Sequence, residues 1–261
     1  MNFILSSPLT TKSLQLSVCA NYQLRPRSLS ISFLRYSLQH CTMQLPYRSK
    51  EEYKKHFIAH SKRNVVPICE VLCPLLADRS GKLFEFGSGV GVHVMQLASN
   101  LPHWQFQPSD MEPEFVAEIA ENVQEFKNID APIHWDVRCT HLDSEKSNYD
   151  IALCVNLLHV TGWDTAVGLF RSASWVLHNQ GILFIYGPFK ENGGYNTESN
   201  RSFDESLQKK NPQFGLKDIV DLKKAALENK LHFDRKIDMP ANNYILQFHK
   251  QVESASGCEI I

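Results

Sequence analysis

Residues 85–91 read Glu85-Phe86-Gly87-Ser88-Gly89-Val90-Gly91, and this stretch decides the fold. It follows a short apolar strand predicted over residues 82–86 and leads into helical spacing over residues 90–100. Glycines at alternate positions allow a sharp turn and a close approach of the backbone to a ligand. The following helix directs its unpaired N–H groups to the same place. We therefore expect a ligand site here, at the carboxyl edge of an open α/β sheet.

Strands and helices alternate on both sides of this turn. This alternation predicts a mostly parallel seven-stranded α/β sheet with helices on both faces. The short link before the last strand makes that strand antiparallel to the one before it. The predicted strands cover residues 82–86, 104–107, 132–137, 149–155, 182–186, 233–239 and 244–249. The predicted helices cover residues 50–60, 64–77, 90–100, 113–127, 163–177 and 215–229, with Ser61 or Asn64 as caps, and residues 190–200 are a predicted loop.

The residues around the glycine turn indicate which ligand it binds. Glu85 lies two residues before Gly87, where a carboxylate would repel a pyrophosphate and would suit a cationic ligand. A dinucleotide pattern needs its third glycine at position 92, which is Val92. The turn therefore favours S-adenosylmethionine over a nicotinamide dinucleotide. The alternative is a glycine turn that serves only tight packing between strand and helix.

Two acidic residues follow the second and third strands. Asp110 lies 19 residues beyond Gly91, and its carboxylate can accept hydrogen bonds from both ribose hydroxyls. Asp110 is also a plausible cap for the next helix. Asp136 is predicted to end the third strand, where the adenine amino group would lie. The alternative is a solvated acid at the end of a strand.

The ends of the fourth and fifth strands supply further candidates. Asn156 is a candidate ligand for the amino-acid part of the cofactor. His159 is the candidate general base, because neutral imidazole takes up a proton near physiological pH. A structural hydrogen bond from His159 to a nearby carbonyl is the alternative. Phe189 is expected to wall a substrate pocket, and residues 190–200 are a candidate lid.

The glycine turn, together with these acidic residues, resembles the class I S-adenosylmethionine-dependent methyltransferases. More narrowly, residues 46–250 resemble the methyltransferase-like protein 26 family. The matching pieces are Arg63-Asn64, Gly87-Ser88-Gly89 with His93, Gln107-Pro108-Ser109-Asp110, Asn156-Leu157-Leu158-His159, Tyr186-Gly187-Pro188-Phe189, Asn200 with Phe203-Asp204, and Met239-Pro240-Ala241-Asn242-Asn243. Val90 and Val92 depart from the family pattern, which often has threonine and a polar residue at these positions.

The resemblance implies a Rossmann-like methyltransferase fold with S-adenosylmethionine as its cofactor. It identifies no methyl acceptor. The expected cofactor-binding residues are Glu85, Gly87, Ser88, Gly89, Gly91, Asp110, Asp136 and Asn156. An Asn-Pro-Pro-aromatic motif, found in many amine-methylating enzymes, is replaced here by the sequence from Asn156 to His159. We therefore expect a small molecule or a protein side chain as the acceptor.

The distribution of charge and the cysteine content argue against several classes of function. Residues 1–50 carry six basic and no acidic side chains, so the other residues, with 21 basic and 28 acidic ones, are acidic as a body. This argues against an extended nucleic-acid footprint. Apolar runs are too short for a membrane span. The seven cysteines are scattered without a CxxC pair, which indicates neither a disulfide framework nor a metal site and favours a reducing, intracellular compartment.

The first 45 residues are predicted to be a leader that precedes a domain of residues 46–261. Nine serines, several arginines and no acidic residue in the first 50 positions are typical of a transit peptide. A disordered extension is the alternative, so the expected location is the cytosol or the mitochondrial matrix. Two other functions stay open: a catalytically silent S-adenosylmethionine-binding scaffold, and a nicotinamide-dependent oxidoreductase.

Overall fold

The structure is a computed structural model, and it describes residues 50–252; of residues 50–57 and 60 it describes the backbone alone. The predicted leader over residues 1–45 lies outside the described residues. The helices are α1 (Lys50–Leu76), α2 (Val92–Asn100), α3 (Pro113–Asn122), α4 (Trp163–Val176), α5 (Glu198–Lys210) and α6 (Ile219–Glu228). The strands are β1 (Gly81–Phe86), β2 (Trp104–Asp110), β3 (Ile133–His134), β4 (Tyr149–Val155), β5 (Leu177–Gly187), β6 (Leu231–Met239) and β7 (Asn243–Lys250).

The seven described strands form one sheet in the order β3-β2-β1-β4-β5-β7-β6. Strands β1 to β5 pair in parallel, whereas β7 runs antiparallel to both β5 and β6. The predicted seven-stranded, mostly parallel sheet with an antiparallel last strand is therefore confirmed. Because the crossovers place helices on both faces, the central strands are buried on each side.

The core has two halves, one on each face of the sheet. Alternate residues of β1 serve opposite halves, so Leu83 packs on one face and Phe84 on the other. The half that contains Leu83 includes residues of α1, α2 and α3. The other half includes residues of α4 and α6. These layers hold the carboxyl ends of β1, β2 and β4 in fixed positions, and the predicted site residues follow those ends.

Several predicted boundaries are wrong. The helices predicted over residues 50–60 and 64–77 form the single helix α1, so neither Ser61 nor Asn64 caps a helix. Strand β2 continues to Asp110 through Pro108. The N–H of Phe106 already points away from β1, to Asn128 O. The backbone of Pro108 also faces away from β1. Because β3 pairs with β2 only from Ser109 onward, the N–H group that proline lacks removes no hydrogen bond between strands.

Other predicted boundaries also differ from the structure, and local caps set two of them. The predicted strand over residues 132–137 contracts to β3, and the predicted helix over residues 215–229 begins only at Ile219, where Asp218 accepts a hydrogen bond from Val220 N. The predicted loop over residues 190–200 ends in a helix that the sequence analysis missed, α5, whose N-cap is Thr197. Within residues 50–252 no helix has the length and apolar character to cross a membrane.

Candidate functional site

The backbone of the turn between β1 and α2 favours glycine at each of its three glycine positions. The φ angles of Gly87, Gly89 and Gly91 are +67°, +59° and +83°. This left-handed region costs an L-residue about 1–2 kcal/mol at each position. The turn is closed by Gly91 N, which donates to Ser88 O at 2.9 Å. It is joined to the neighbouring strand by Ser88 N, which donates to Ser109 O at 2.9 Å.

Asp110 holds this turn from the end of β2. Its Oδ2 accepts a hydrogen bond from Gly89 N at 2.8 Å, and its Oδ1 accepts one from Glu112 N at 3.0 Å. Burial raises the pKa of Asp110 to about 6, against the opposing effect of these two bonds. Each carboxylate oxygen can accept a second bond. Ribose binding by Asp110 therefore stays a prediction, and a role in shaping the turn is added to it.

Glu85 and His93 form a buried polar pair beside the turn. Glu85 is 1% exposed, and its Oε1 lies 3.7 Å from His93 Nδ1. Among the described residues, neither carboxylate oxygen of Glu85 nor His93 Nε2 has a hydrogen-bond partner. Burial raises the pKa of Glu85 to about 7 and lowers the pKa of His93 to about 4. Buried polar atoms without partners are uncommon in folded proteins, and at this edge of the sheet they mark a functional candidate.

Asp136 has a partner within the protein, which the sequence analysis did not anticipate. It lies two residues beyond β3 instead of ending that strand. Its carboxylate accepts from the backbone N of Arg138 at 2.9 Å and from Arg138 Nη2 at 2.7 Å. Although burial opposes it, this pairing lowers the pKa of Asp136. Adenine binding by Asp136 stays a prediction. The hydrogen bonds from Arg138 already use much of the capacity of this carboxylate to accept hydrogen bonds.

Asn156 and His159 meet around Gly187 at the end of β5. Asn156 adopts a left-handed φ of 57°, and its backbone N donates to Tyr186 O at 2.9 Å. The carbonyl of His159 accepts from Gly215 N at 3.0 Å. The ring of His159 lies 5.5 Å from the ring of Phe203, edge to face.

The structure brings most of the predicted site residues together at the carboxyl edge of the sheet. A methyl group built on Gly87 would lie 3.6 Å from Leu157 Cδ1, so the glycine turn adjoins the segment after β4. Trp135 N donates to Asp110 O at 2.9 Å, which places Asp136 one residue away. The side chain of Asp136 instead pairs with Arg138. Among the described residues, no group of three or more His, Cys, Asp or Glu side chains is arranged to hold a metal ion.

The segment over residues 190–200, a candidate lid, is anchored along its first half. Lys190 N donates to Lys217 O, and Ile219 N donates to Lys190 O, both at 3.0 Å. Gly193 N donates to the carboxylate of Asp218 at 2.5 Å. Phe189, the expected wall of a substrate pocket, is 2% exposed, and its Cζ would lie 3.7 Å from a methyl group built on Gly187.

Sequence reasoning missed three contributors to this edge. The sequence analysis named His93 only as part of the family resemblance. A histidine on the apolar face of a short helix could have indicated a buried polar group at this position. Arg138 follows Asp136 by two residues, a spacing that fits a local ion pair. Phe203 likewise entered only through the family resemblance; it belongs to α5, and no local signal indicated that it would reach His159.

Solved structures of methyltransferases have this fold. An O-methyltransferase family protein from Burkholderia thailandensis has a TM-score of 0.66 and 12% identity, over 78% of this chain and 61% of that one. The pyocyanin biosynthetic protein PhzM has a TM-score of 0.62 and 13% identity, over 78% and 59%. CalO1, a methyltransferase in calicheamicin biosynthesis in its SAH-bound form, has a TM-score of 0.53 and 16% identity, over 66% and 49%.

The chain spans about half to three fifths of the length of these structures. At such low identities the likeness establishes the fold, which is the Rossmann-like methyltransferase fold. A protein family described as "protein of unknown function (DUF938)" matches residues 55–250, about three quarters of the chain. The chain therefore belongs to the DUF938 family.

Proposed function

We propose that this protein is an S-adenosylmethionine-dependent methyltransferase that acts on a small molecule or a protein side chain. One observation carries the proposal: the turn between β1 and α2 has three left-handed glycines, and Asp110 fixes its middle glycine. The methyltransferases that share the fold support it, because the structure of CalO1 is an SAH-bound form, and SAH is the demethylated product of the cofactor.

The residues at this edge fit the chemistry of the cofactor. S-adenosylmethionine is cationic, and Glu85 offers two buried carboxylate oxygens that have no partner among the described residues. When bound, the cofactor supplies an electrophilic methyl group. In this proposal the glycine turn binds the adenosyl part, Asp110 accepts from the ribose, Asp136 from the adenine amino group, and Asn156 contacts the amino-acid part. The remaining expected contacts come from Gly87, Ser88, Gly89 and Gly91.

Catalysis by this chain consists mainly of orientation. Alignment of the two reactants supplies much of the rate in a one-step displacement. His159 accepts the proton that a hydroxyl or amine acceptor must lose. Effective proton transfer by a positioned histidine contributes about 10²–10⁴ in rate.

Two narrower assignments accompany this proposal. We propose kinship with the methyltransferase-like protein 26 family on the motif order given above, and an intracellular location in the cytosol or mitochondrial matrix. Import of a tagged full-length chain into mitochondria, with loss of about its first forty residues, would support the matrix. A diffuse cytosolic signal at full mass would support the cytosol.

Labelled methyl transfer tests the proposed activity. Purified protein is incubated with methyl-labelled S-adenosylmethionine and, separately, with the small-molecule and protein fractions of a cell extract. The proposal predicts label in one of the two fractions, and less label with His159→Ala. Cofactor binding without label in either fraction would favour the silent scaffold. Binding of a nicotinamide cofactor in place of S-adenosylmethionine would favour an oxidoreductase.

A further inference from the structure

The last residue of β5, Gly187, leaves a methyl-sized space between three side chains. A methyl group built on Gly187 would lie 3.7 Å from His159 Nδ1, 3.7 Å from Phe189 Cζ and 3.8 Å from Asn156 Oδ1. These are ordinary van der Waals distances. Since Gly187 does not have a left-handed φ, its backbone suits other residues as well. Neither backbone conformation nor close packing therefore requires glycine at this position.

The groups around this space are polar on one side and aromatic on the other. Asn156 Oδ1 accepts hydrogen bonds, and so does His159 Nδ1 in the neutral tautomer that carries its proton on Nε2. Phe189 supplies a ring edge, and Phe203 packs its ring against that of His159. None of these four side chains carries a charge when His159 is neutral. A charged group buried among them would remain unpaired at considerable cost.

Two side chains of this group reach the protein surface. Phe203 is 39% exposed although its ring contacts His159, and Asn156 is partly exposed. A buried anchor holds the helix that carries Phe203. Asp204, which is 0% exposed, accepts from Tyr195 Oη and from Leu216 N, each at 2.6 Å. Phe203 therefore presents its ring from a fixed position.

From this geometry we infer that Gly187 determines acceptor specificity, and that the acceptor is an uncharged aromatic molecule carrying a hydroxyl group. The inference rests on the proposed methyltransferase function. The hydroxyl lies over Gly187 and donates its hydrogen to His159 Nδ1 or Asn156 Oδ1. The aromatic body lies against the exposed ring of Phe203, since aromatic rings pack favourably edge to face or offset.

The test measures binding of 1-naphthol to full-length protein saturated with SAH, by calorimetry. The variant is Gly187→Ala, whose added methyl group fills the space without a close contact, and the matched control is Gly194→Ala. Gly194 is exposed, and a methyl group there would have one neighbour within 4 Å, Glu191 O at 3.4 Å. SAH affinity is measured separately for all three proteins, so that the cofactor site and the acceptor site are scored independently.

We expect wild type and Gly194→Ala to bind 1-naphthol alike. Gly187→Ala should bind it about tenfold more weakly or worse, with unchanged SAH affinity, as when one methyl group blocks a fitted pocket. Cyclohexanol and the anion 1-naphthoate should bind wild type more weakly than 1-naphthol does. The inference is overturned if SAH-saturated wild type does not bind 1-naphthol, if Gly187→Ala binds it as tightly, or if either comparison compound binds equally well. Failure of wild type to bind SAH would instead overturn the proposed function itself.

Discussion

The backbone N–H of Gly89 donates a 2.8 Å hydrogen bond to Asp110 Oδ2, which joins the turn after β1 to the end of β2. Gly89 adopts φ +59°, so the bond fixes a turn that is accessible mainly to glycine. The other oxygen of the same carboxylate accepts from Glu112 N, at the start of α3. One side chain thus positions the glycine turn and the entry to the next helix.

Replacement of Asp110 should therefore affect both stability and cofactor binding. Asp110→Ala removes the acceptor for two backbone N–H groups and should lower the free energy of unfolding by about 1.5–3 kcal/mol. SAH affinity should fall as well. Asp110→Asn keeps one acceptor oxygen and should lose less stability. Chemical denaturation and calorimetry measure the two effects, and an alanine variant unchanged in both would contradict the role given to Asp110.

Glu85 should make the protein less stable as pH rises. Because burial raises its folded-state pKa from 4.5 to about 7, the folded protein keeps a proton that the unfolded chain has already lost. The free energy of unfolding therefore falls as pH rises from 4.5 to about 7, by about 3 kcal/mol for a pKa shift of this size. Glu85→Gln cannot ionise, so its stability relative to wild type should improve between pH 4.5 and pH 8.

The comparison with Glu85→Gln isolates this one group. Burial lowers the pKa of His93 to about 4, which makes stability rise with pH between 4 and 6.5, opposite to the effect of Glu85. Asp110 acts in the same direction as Glu85. Since wild type and variant both keep His93 and Asp110, the difference between their curves reports the ionisation of Glu85 together with its electrostatic effect on those two groups. Parallel unfolding curves across this range would show that Glu85 ionises normally in the folded protein.

His159→Ala should reduce turnover and leave cofactor binding intact. The side chain lies beside Asn156 and Gly187, and the glycine turn is held by other residues. A loss of about 10²–10⁴ in kcat is expected if His159 takes the acceptor's proton. His103→Ala, which removes an exposed histidine, serves as the control. Equal turnover in His159→Ala and wild type would show that His159 has a structural and not a catalytic role.

His178 should titrate above its ordinary pKa because of Asp150. Partial burial acts to lower the pKa of His178, but the 2.7 Å hydrogen bond from its Nε2 to Asp150 Oδ1, with other bonds, raises it overall. The ion pair therefore contributes its full stability below pH 6.5 and loses it as pH rises through the folded-state pKa. The side chain of His178 is 41% exposed, so the contribution should stay below about 1 kcal/mol.

NMR titration of the His178 ring protons measures this shift directly. The expected midpoint in wild type lies above 6.5, and Asp150→Asn should lower it because the negative charge is removed. Asp150 Oδ2 also accepts from Lys82 N, so the asparagine variant, which retains an acceptor, is preferred to alanine. A midpoint insensitive to Asp150→Asn would show that the pair is not charged in solution.

The sheet and the glycine turn could be predicted because their causes are local. A buried strand such as β4 is apolar at every position except Asp150, and its predicted bounds are those of the structure. The three glycines of the turn, Gly87, Gly89 and Gly91, indicate in the sequence that its backbone adopts φ above zero. Parallel order then brings the carboxyl ends of β1, β2 and β4 to one edge.

The parts that sequence reasoning missed depend on tertiary contacts. Helix α5 has few apolar residues, and its position depends on the buried contacts of Asp204 with Tyr195 and Leu216. The pairing of Asp136 with Arg138 redirects a carboxylate that the strand pattern assigned to adenine. Two features have no signature in residue spacing: the lack of a hydrogen-bond partner for the Glu85 carboxylate among the described residues, and the space over Gly187.

Titration of SAH into wild type and Gly89→Val tests the central claim most directly. Valine at φ +59° is strained, and its branched side chain adds bulk at the turn where the proposal places the cofactor. Circular dichroism establishes that the variant remains folded. The claim predicts saturable binding of one SAH per wild-type chain and no detectable binding by folded Gly89→Val. Equal SAH binding by the two proteins, or none by wild type, would contradict the placement of the cofactor at the turn of residues 87–91.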